Sequence, residues 1–172
     1  MASLVENLIN VLQQEEKEYE KLLNVSIQKP PVIVRADLEA LQKITDEEQS
    51  IIDKITHYDS QRMEYMKDIA YVINMDVKTL TLSTLIDLLA GRVKEHTELA
   101  GAFDSLRSIV IRVRDVNTKN QNLLQDSMDM VDFEMNLLQS ASQAPETANY
   151  NKNAYNSGDT IAEESGRFDA KQ

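Results

Sequence analysis

The run NTKNQNLLQDSMDMVDFEMNLL, residues 117–138, is the most informative segment of the chain. It contains neither proline nor glycine, and at 100° per residue its large apolar side chains fall on two neighbouring stripes of one helix. The first stripe comprises Leu124, Met128, Val131, Met135 and Leu138, and the second comprises Leu123, Met130, Phe133 and Leu137. A helix at the edge of a small bundle buries one stripe of roughly 100°. We therefore expect the second stripe to need a partner.

The rest of the chain has the same helical character. Only four of its 172 residues are glycine and three are proline, and no proline occurs between residues 32 and 144. Charged residues alternate with Leu, Ile and Val at spacings of three and four, which is the pattern of amphipathic helices. We predict an all-α fold, an elongated antiparallel helical bundle or coiled coil built from long helices.

The helix boundaries follow from capping residues and prolines. A first helix is expected to end near Ile27, and Pro30-Pro31 with three β-branched residues behind them predict a semi-extended connector over residues 28–35. Asp37 is a suitable N-cap for a second helix, which we expect to continue to Ile73.

The apolar rhythm of this second helix is interrupted by Glu48 and Arg62. Thr81 or Ser83 could then cap a short helix, and a long last helix follows.

The composition changes near residue 140. From there on, Asn, Ser, Ala, Gln and Gly replace the large apolar residues, so the segment cannot bury enough surface to offset its ordering entropy. We predict a helical-bundle domain over residues 1–139 and a disordered polar tail over residues 140–172.

The charge of the chain limits its partners. The formal net charge of -11 repels nucleic acid and anionic membranes, and no apolar run approaches the ~20 residues that span a bilayer. The chain has no cysteine, and its N-terminus lacks the basic start of a signal peptide. We predict a cytoplasmic protein with no nucleic-acid partner and no stable membrane insertion, whose partners are other proteins.

The residues needed for catalysis or metal binding are scarce. The two histidines, His57 and His96, lie on different predicted helices and have no spacing typical of metal ligands. We interpret the acidic runs at residues 15–16 and 46–48 as solvated helix faces. The sequence therefore predicts no enzymatic activity, no catalytic residue, no metal site and no cofactor.

Asn117 and Asn120 occupy positions of the last helix where an apolar residue would be expected. Such residues can fix the register of packed helices. Alternatively, their amides could bind the backbone of a partner at the entrance to the apolar segment. The sequence does not decide between these two interpretations.

The same run carries a family resemblance. The pattern N-x-x-N-x-x-L-L-x-x-S-M-x-x-V-x-x-x-M-x-L-L, which begins at Asn117 and precedes a polar tail with Tyr150, Tyr155 and Gly158, resembles the C-terminal region of FlgN-type flagellar export chaperones. The order of helices is similar as well. The resemblance implies a helical-bundle chaperone of flagellar type III export. Such chaperones bind the C-terminal helices of the hook–filament junction proteins FlgK and FlgL, keep them unassembled, and work with the flagellar export apparatus.

The resemblance also implies which residues contact the client protein. Carried onto this chain, these are Leu123, Leu124, Met128, Val131, Met135 and Leu138, flanked by Asn117 and Asn120. The alternatives are a non-flagellar coiled-coil adaptor, another secretion chaperone, or a metal-binding helical bundle. The preferred client and the oligomeric state remain open at this point.

Overall fold

The computed structural model describes residues 2–142, which form five α-helices. These are α1 (Ala2–Ser26), α2 (Lys29–Val34), α3 (Leu38–Ile73), α4 (Leu82–Leu88) and α5 (Val93–Ser142). The described range contains no β-strand, and the predicted all-α fold is confirmed.

The chain divides into two units, residues 1–132 with the hydrophobic core and residues 133–172. The described part of the second unit is the end of α5, residues 133–142. The predicted tail lies outside the described residues except for residues 140–142, which are helical. The boundary at residue 139 stays a prediction.

The limits of α3 agree with those predicted, because each end has a capping residue: Asp37, as expected, at the start and Asn74 at the end. The Asp37 side chain accepts a hydrogen bond of 3.0 Å from the backbone N–H of Ala40, which would otherwise lack an acceptor. At the other end, Asn74 adopts a left-handed conformation with φ 56°. Asparagine tolerates this conformation better than most residues, so α3 stops there.

The expected semi-extended connector is wrong, because residues 29–34 form the short helix α2. Pro30 and Pro31 lie in its first turn, where backbone N–H groups have no acceptor within the helix and the fixed φ of proline suits helical geometry. The next two residues, Val32 and Ile33, are buried. Their burial therefore stabilises a helix that the prolines permit.

A Schellman motif ends α2 and turns the chain into α3. The N–H of Ala36 donates to the carbonyl of Ile33 at 3.0 Å, and the N–H of Asp37 donates to the carbonyl of Val32 at 3.1 Å. Ala36 adopts φ 52° to close this motif, a conformation that glycine usually supplies.

Of the two candidate caps for the short helix, Thr81 is the N-cap of α4. Its hydroxyl accepts from the Thr84 N–H at 3.1 Å, and the Thr84 hydroxyl accepts from the Thr81 N–H at 2.8 Å. This reciprocal capping box satisfies two donors that the first turn leaves free.

α1 and α3 are antiparallel and share the core. Ser26, at the end of α1, contacts Glu48 early in α3, whereas Glu15 contacts Arg62 further along α3. The core also includes side chains from α4 and α5. Its largest fully buried apolar side chains are Val5, Leu8, Leu12, Ile69, Leu85, Leu89 and Leu99.

α5 runs parallel to α1, since Asn120 contacts Ser26 while Val113 lines the same cavity as Glu15. Its buried side chains recur at spacings of three, four and seven, as in a coiled-coil seam. They are Leu99, Ala102, Leu106, Ile109, Val113 and Asn120. The first unit is therefore a three-helix arrangement of α1, α3 and α5.

Substituting Gly101→Ala should raise the free energy of unfolding by about 1 kcal/mol, because alanine is the better helix former. Gly101 lies inside α5, and an added Cβ would meet no atom within 4 Å. Urea denaturation of both chains measures the change. A loss of stability would mean that α5 does not continue as a helix through this position.

Candidate docking surface

Both apolar stripes of α5 are exposed from Leu124 onward. In the first stripe the exposed fraction of the residue is 39% at Leu124 and 55% at Val131, and in the second it is 64% at Met130. Residues 121–132 include no buried side chain. The expectation that one stripe packs against the bundle is therefore wrong for this part of the helix.

The reason lies in the length of α1. This helix runs alongside α5 in the same direction and ends at Ser26, which contacts Asn120. Beyond that contact α1 offers no further surface to α5. A continuous exposed apolar surface of this kind is characteristic of protein interaction sites.

The first stripe forms one wall of an apolar groove of about 220 Å³. Leu124, Met128 and Val131 of α5 line it together with side chains of α2 and α3. The facing apolar residues are Val32, Ile33, Ala36, Leu38 and Leu41. The structure thus brings three of the eight predicted contact residues into a concave site.

A buried polar junction lies beside the groove. Ser26 ends α1, and its carbonyl cannot accept a helical hydrogen bond from residue 30, because Pro30 has no N–H. Asn120 Nδ2 donates to this carbonyl instead, at 2.8 Å. The Ser26 hydroxyl donates to Glu48 Oε1 at 2.6 Å, and Lys29 forms an ion pair with the same carboxylate. We call Ser26, Lys29, Glu48 and Asn120 the polar junction.

The junction bears on the two open interpretations of the asparagines. Asn120 is 6% exposed and its amide nitrogen bonds within the chain, as expected of a residue that fixes helix register. Its Oδ1 atom has no hydrogen-bond partner among the described residues. Asn117 is exposed and lines a cavity that also includes Asn120 and Leu124.

The remaining predicted contact residues lie on the same helix. Leu123 is half-buried, whereas Met135 and Leu138 are exposed in residues 133–142. Every described residue of that second unit is exposed.

A second buried polar contact joins α1 to α3. The Glu15 carboxylate lies 3.3 Å from Arg62 Nε, and Arg62 also pairs with Asp59. Burial raises the pKa of Glu15, against the opposing charge of Arg62, and Asp59 raises it further. Burial, reinforced by the nearby Glu15, raises the pKa of Tyr19 as well.

The interpretation of the acidic runs as solvated faces is wrong for two residues. Glu15 and Glu48 are only 4% and 7% exposed. The interruptions of the α3 apolar rhythm at Glu48 and Arg62 are the sequence signal that could have identified these contacts, because both residues have partners on α1.

The described residues offer little other chemistry. Within residues 2–142, no group of three or more His, Asp or Glu side chains could hold a metal ion. None of the five helices is long and apolar enough to cross a membrane.

The sequence was compared with models of known protein families. The family model described as FlgN protein matches residues 1–158. The chain belongs to the FlgN family. The resemblance noted in its sequence is thereby confirmed, and with it the role of a flagellar export chaperone in flagellum biogenesis. No curated protein and no solved structure shows significant similarity to the chain.

Substituting Asn120→Ala in this FlgN-family chain should lower the free energy of unfolding by about 1–3 kcal/mol, because it leaves the buried Ser26 carbonyl without a donor. Urea denaturation measures the loss. The matched control is Asn117→Ala, three residues away and exposed, for which a change within about 0.5 kcal/mol is expected. Equal effects of the two substitutions would contradict the register role of Asn120.

The raised pKa of Glu15 predicts a pH dependence of stability. The folded state holds the Glu15 proton more tightly than the unfolded state, so the stabilisation that this provides is present below the ordinary value of 4.5 and is lost as the pH rises through the folded pKa. The stability of the parent chain relative to Glu15→Gln should therefore fall as the pH increases from this region. Urea titrations of both chains across pH measure the free energy of unfolding of each. A parent chain that becomes more stable relative to Glu15→Gln as the pH rises would contradict the prediction.

Proposed function

We propose that the chain is a cytoplasmic chaperone that binds the C-terminal helices of the hook–filament junction proteins FlgK and FlgL and keeps them unassembled until export. Membership of the FlgN family supports the general role. The observation that carries the proposal is the exposure of both apolar stripes of α5, on the segment that resembles the client-binding region of the family.

The physical mechanism is helix-in-groove recognition. An amphipathic client helix presents apolar side chains at spacings of three and four, and these enter the groove that α2 and α3 form with α5. The assembly surface of the client is then hidden from other subunits. About 800 Å² buried on each partner would be ordinary for such a complex.

The proposed contact residues are those assigned from the sequence. They are Leu123, Leu124, Met128, Val131, Met135 and Leu138, with Asn117 and Asn120 as flanking residues. The two methionines are flexible and polarisable, so this surface can adapt to two related clients of unequal shape. Asn120 holds α5 against the end of α1, at the entrance to this surface.

Release of the client falls to the flagellar export apparatus, which is the second proposed partner. The chain has no glycine-lysine-serine pattern of a phosphate-binding loop, so its sequence gives no sign of nucleotide-driven release. Competition by the apparatus for either protein would shift the equilibrium if the affinity is moderate.

The test is isothermal titration of the chain with C-terminal fragments of FlgK and FlgL. The variant Val131→Asp, Leu138→Asp places charges on two side chains of the first stripe that are more than half exposed, so the fold should be retained. Losing two apolar contacts of at least about 1.5 kcal/mol each should weaken binding by more than about 100-fold.

The matched control is Gln125→Asp, Asn136→Asp, which adds the same charge at two exposed polar positions of the same helix. It should bind at least as tightly as the parent chain does. Circular dichroism establishes that both variants remain helical. No binding by the folded parent would reject FlgK and FlgL as clients, and equal binding by all three chains would reject the first stripe as the contact surface.

A further inference from the structure

The charged residues that border the docking groove are all acidic. Asp37 and Asp132 are the charged residues among those that line it, and both are exposed. Along residues 123–142 of α5 there are four carboxylates and no lysine, arginine or histidine. The carboxylates are Asp126, Asp129, Asp132 and Glu134.

Basic residues of the neighbouring segment do not neutralise this border. Three occur between positions 29 and 43, and none lines the groove. Lys29 pairs with Glu48, Lys43 pairs with Glu39, and Arg35 lines a different cavity. The carboxylates at the rim therefore face any docked partner without a cation of their own.

We propose that the groove selects an amphipathic helix whose apolar face is bordered by lysine or arginine. The inference rests on the proposed function and specifies the chemistry of the client. A docked helix with neutral or acidic borders would strip water from Asp37 and Asp132 and provide no compensating charge. Basic borders form ion pairs there, as the flanking charges of coiled coils do when they determine partner choice.

The same charges argue against a second copy of the chain as the occupant. A second α5 segment would bring the same four carboxylates, again without a basic residue over residues 123–142. Like charges placed together across an interface cost several kcal/mol. The acidic border thus keeps the exposed apolar stripe from pairing with itself and leaves it available to a basic partner.

The test uses two synthetic helical peptides and the full chain. Both peptides carry the same leucine face, with leucines spaced alternately by three and four residues, and they differ only in having lysine or glutamate along its borders. Fluorescence anisotropy measures each dissociation constant at low and at high salt. The lysine peptide should bind at least ~10-fold tighter at low salt, and the difference should shrink at high salt.

A charge variant locates the effect. Asp37→Asn, Asp132→Asn removes both groove carboxylates, and asparagine at position 37 still caps α3. It should reduce the preference for the lysine peptide by about fivefold, as expected for two partly exposed pairs. The control Asp68→Asn, Asp104→Asn changes the net charge equally at two exposed positions that do not line the groove, and it should retain the preference.

Each other outcome overturns the inference. Equal binding of the two peptides, no binding of either, or the same loss in both charge variants would show that the groove does not select basic helices. The result is separable from the proposed function. If FlgK and FlgL fragments fail to bind while the groove-dependent preference for lysine persists, the clients are rejected and the inference stands.

Discussion

The hydrogen bond between Asn120 and the Ser26 carbonyl is the constraint on which the functional end of the first unit depends. Pro30 removes the N–H that a continuing helix would supply, so the buried carbonyl takes its donor from a residue 94 positions away. Because Glu48 of α3 binds the Ser26 hydroxyl and Lys29, the end of α1, the start of α2 and the first third of α3 are held at one level of α5. That level determines which α5 residues face the groove.

The exposed apolar surface follows from the same contact. α5 has 50 residues and α1 has 25, and α1 ends where Asn120 meets it. A longer α1 would extend past this contact and could pack against Leu124 and Val131. Exposed apolar surface promotes self-association, and the carboxylates of this segment counter that tendency by repulsion between copies. Length mismatch and charge pattern together keep the surface open.

Local sequence patterns predicted the helices well, but they did not predict contacts between residues that are distant in sequence. Asp37 gave the start of α3 because capping depends on residues three apart. Pro30-Pro31 suits both an extended segment and a first helical turn, and only the burial of Val32 decides between them. Periodicity identified both stripes of α5, but it does not indicate where a neighbouring helix ends. The pairing of Asn120 with Ser26 could not be predicted from spacing.

A chaperone must bind its client quickly and also let it go. Carboxylates at the groove rim would accelerate the encounter with a basic helix, whereas the apolar contacts of Leu124, Met128 and Val131 would determine how long it stays. The buried polar junction holds the groove walls in place, so little binding energy would be spent in ordering them. In the proposed complex, the rim charges would therefore set the rate of association and the apolar walls the rate of dissociation.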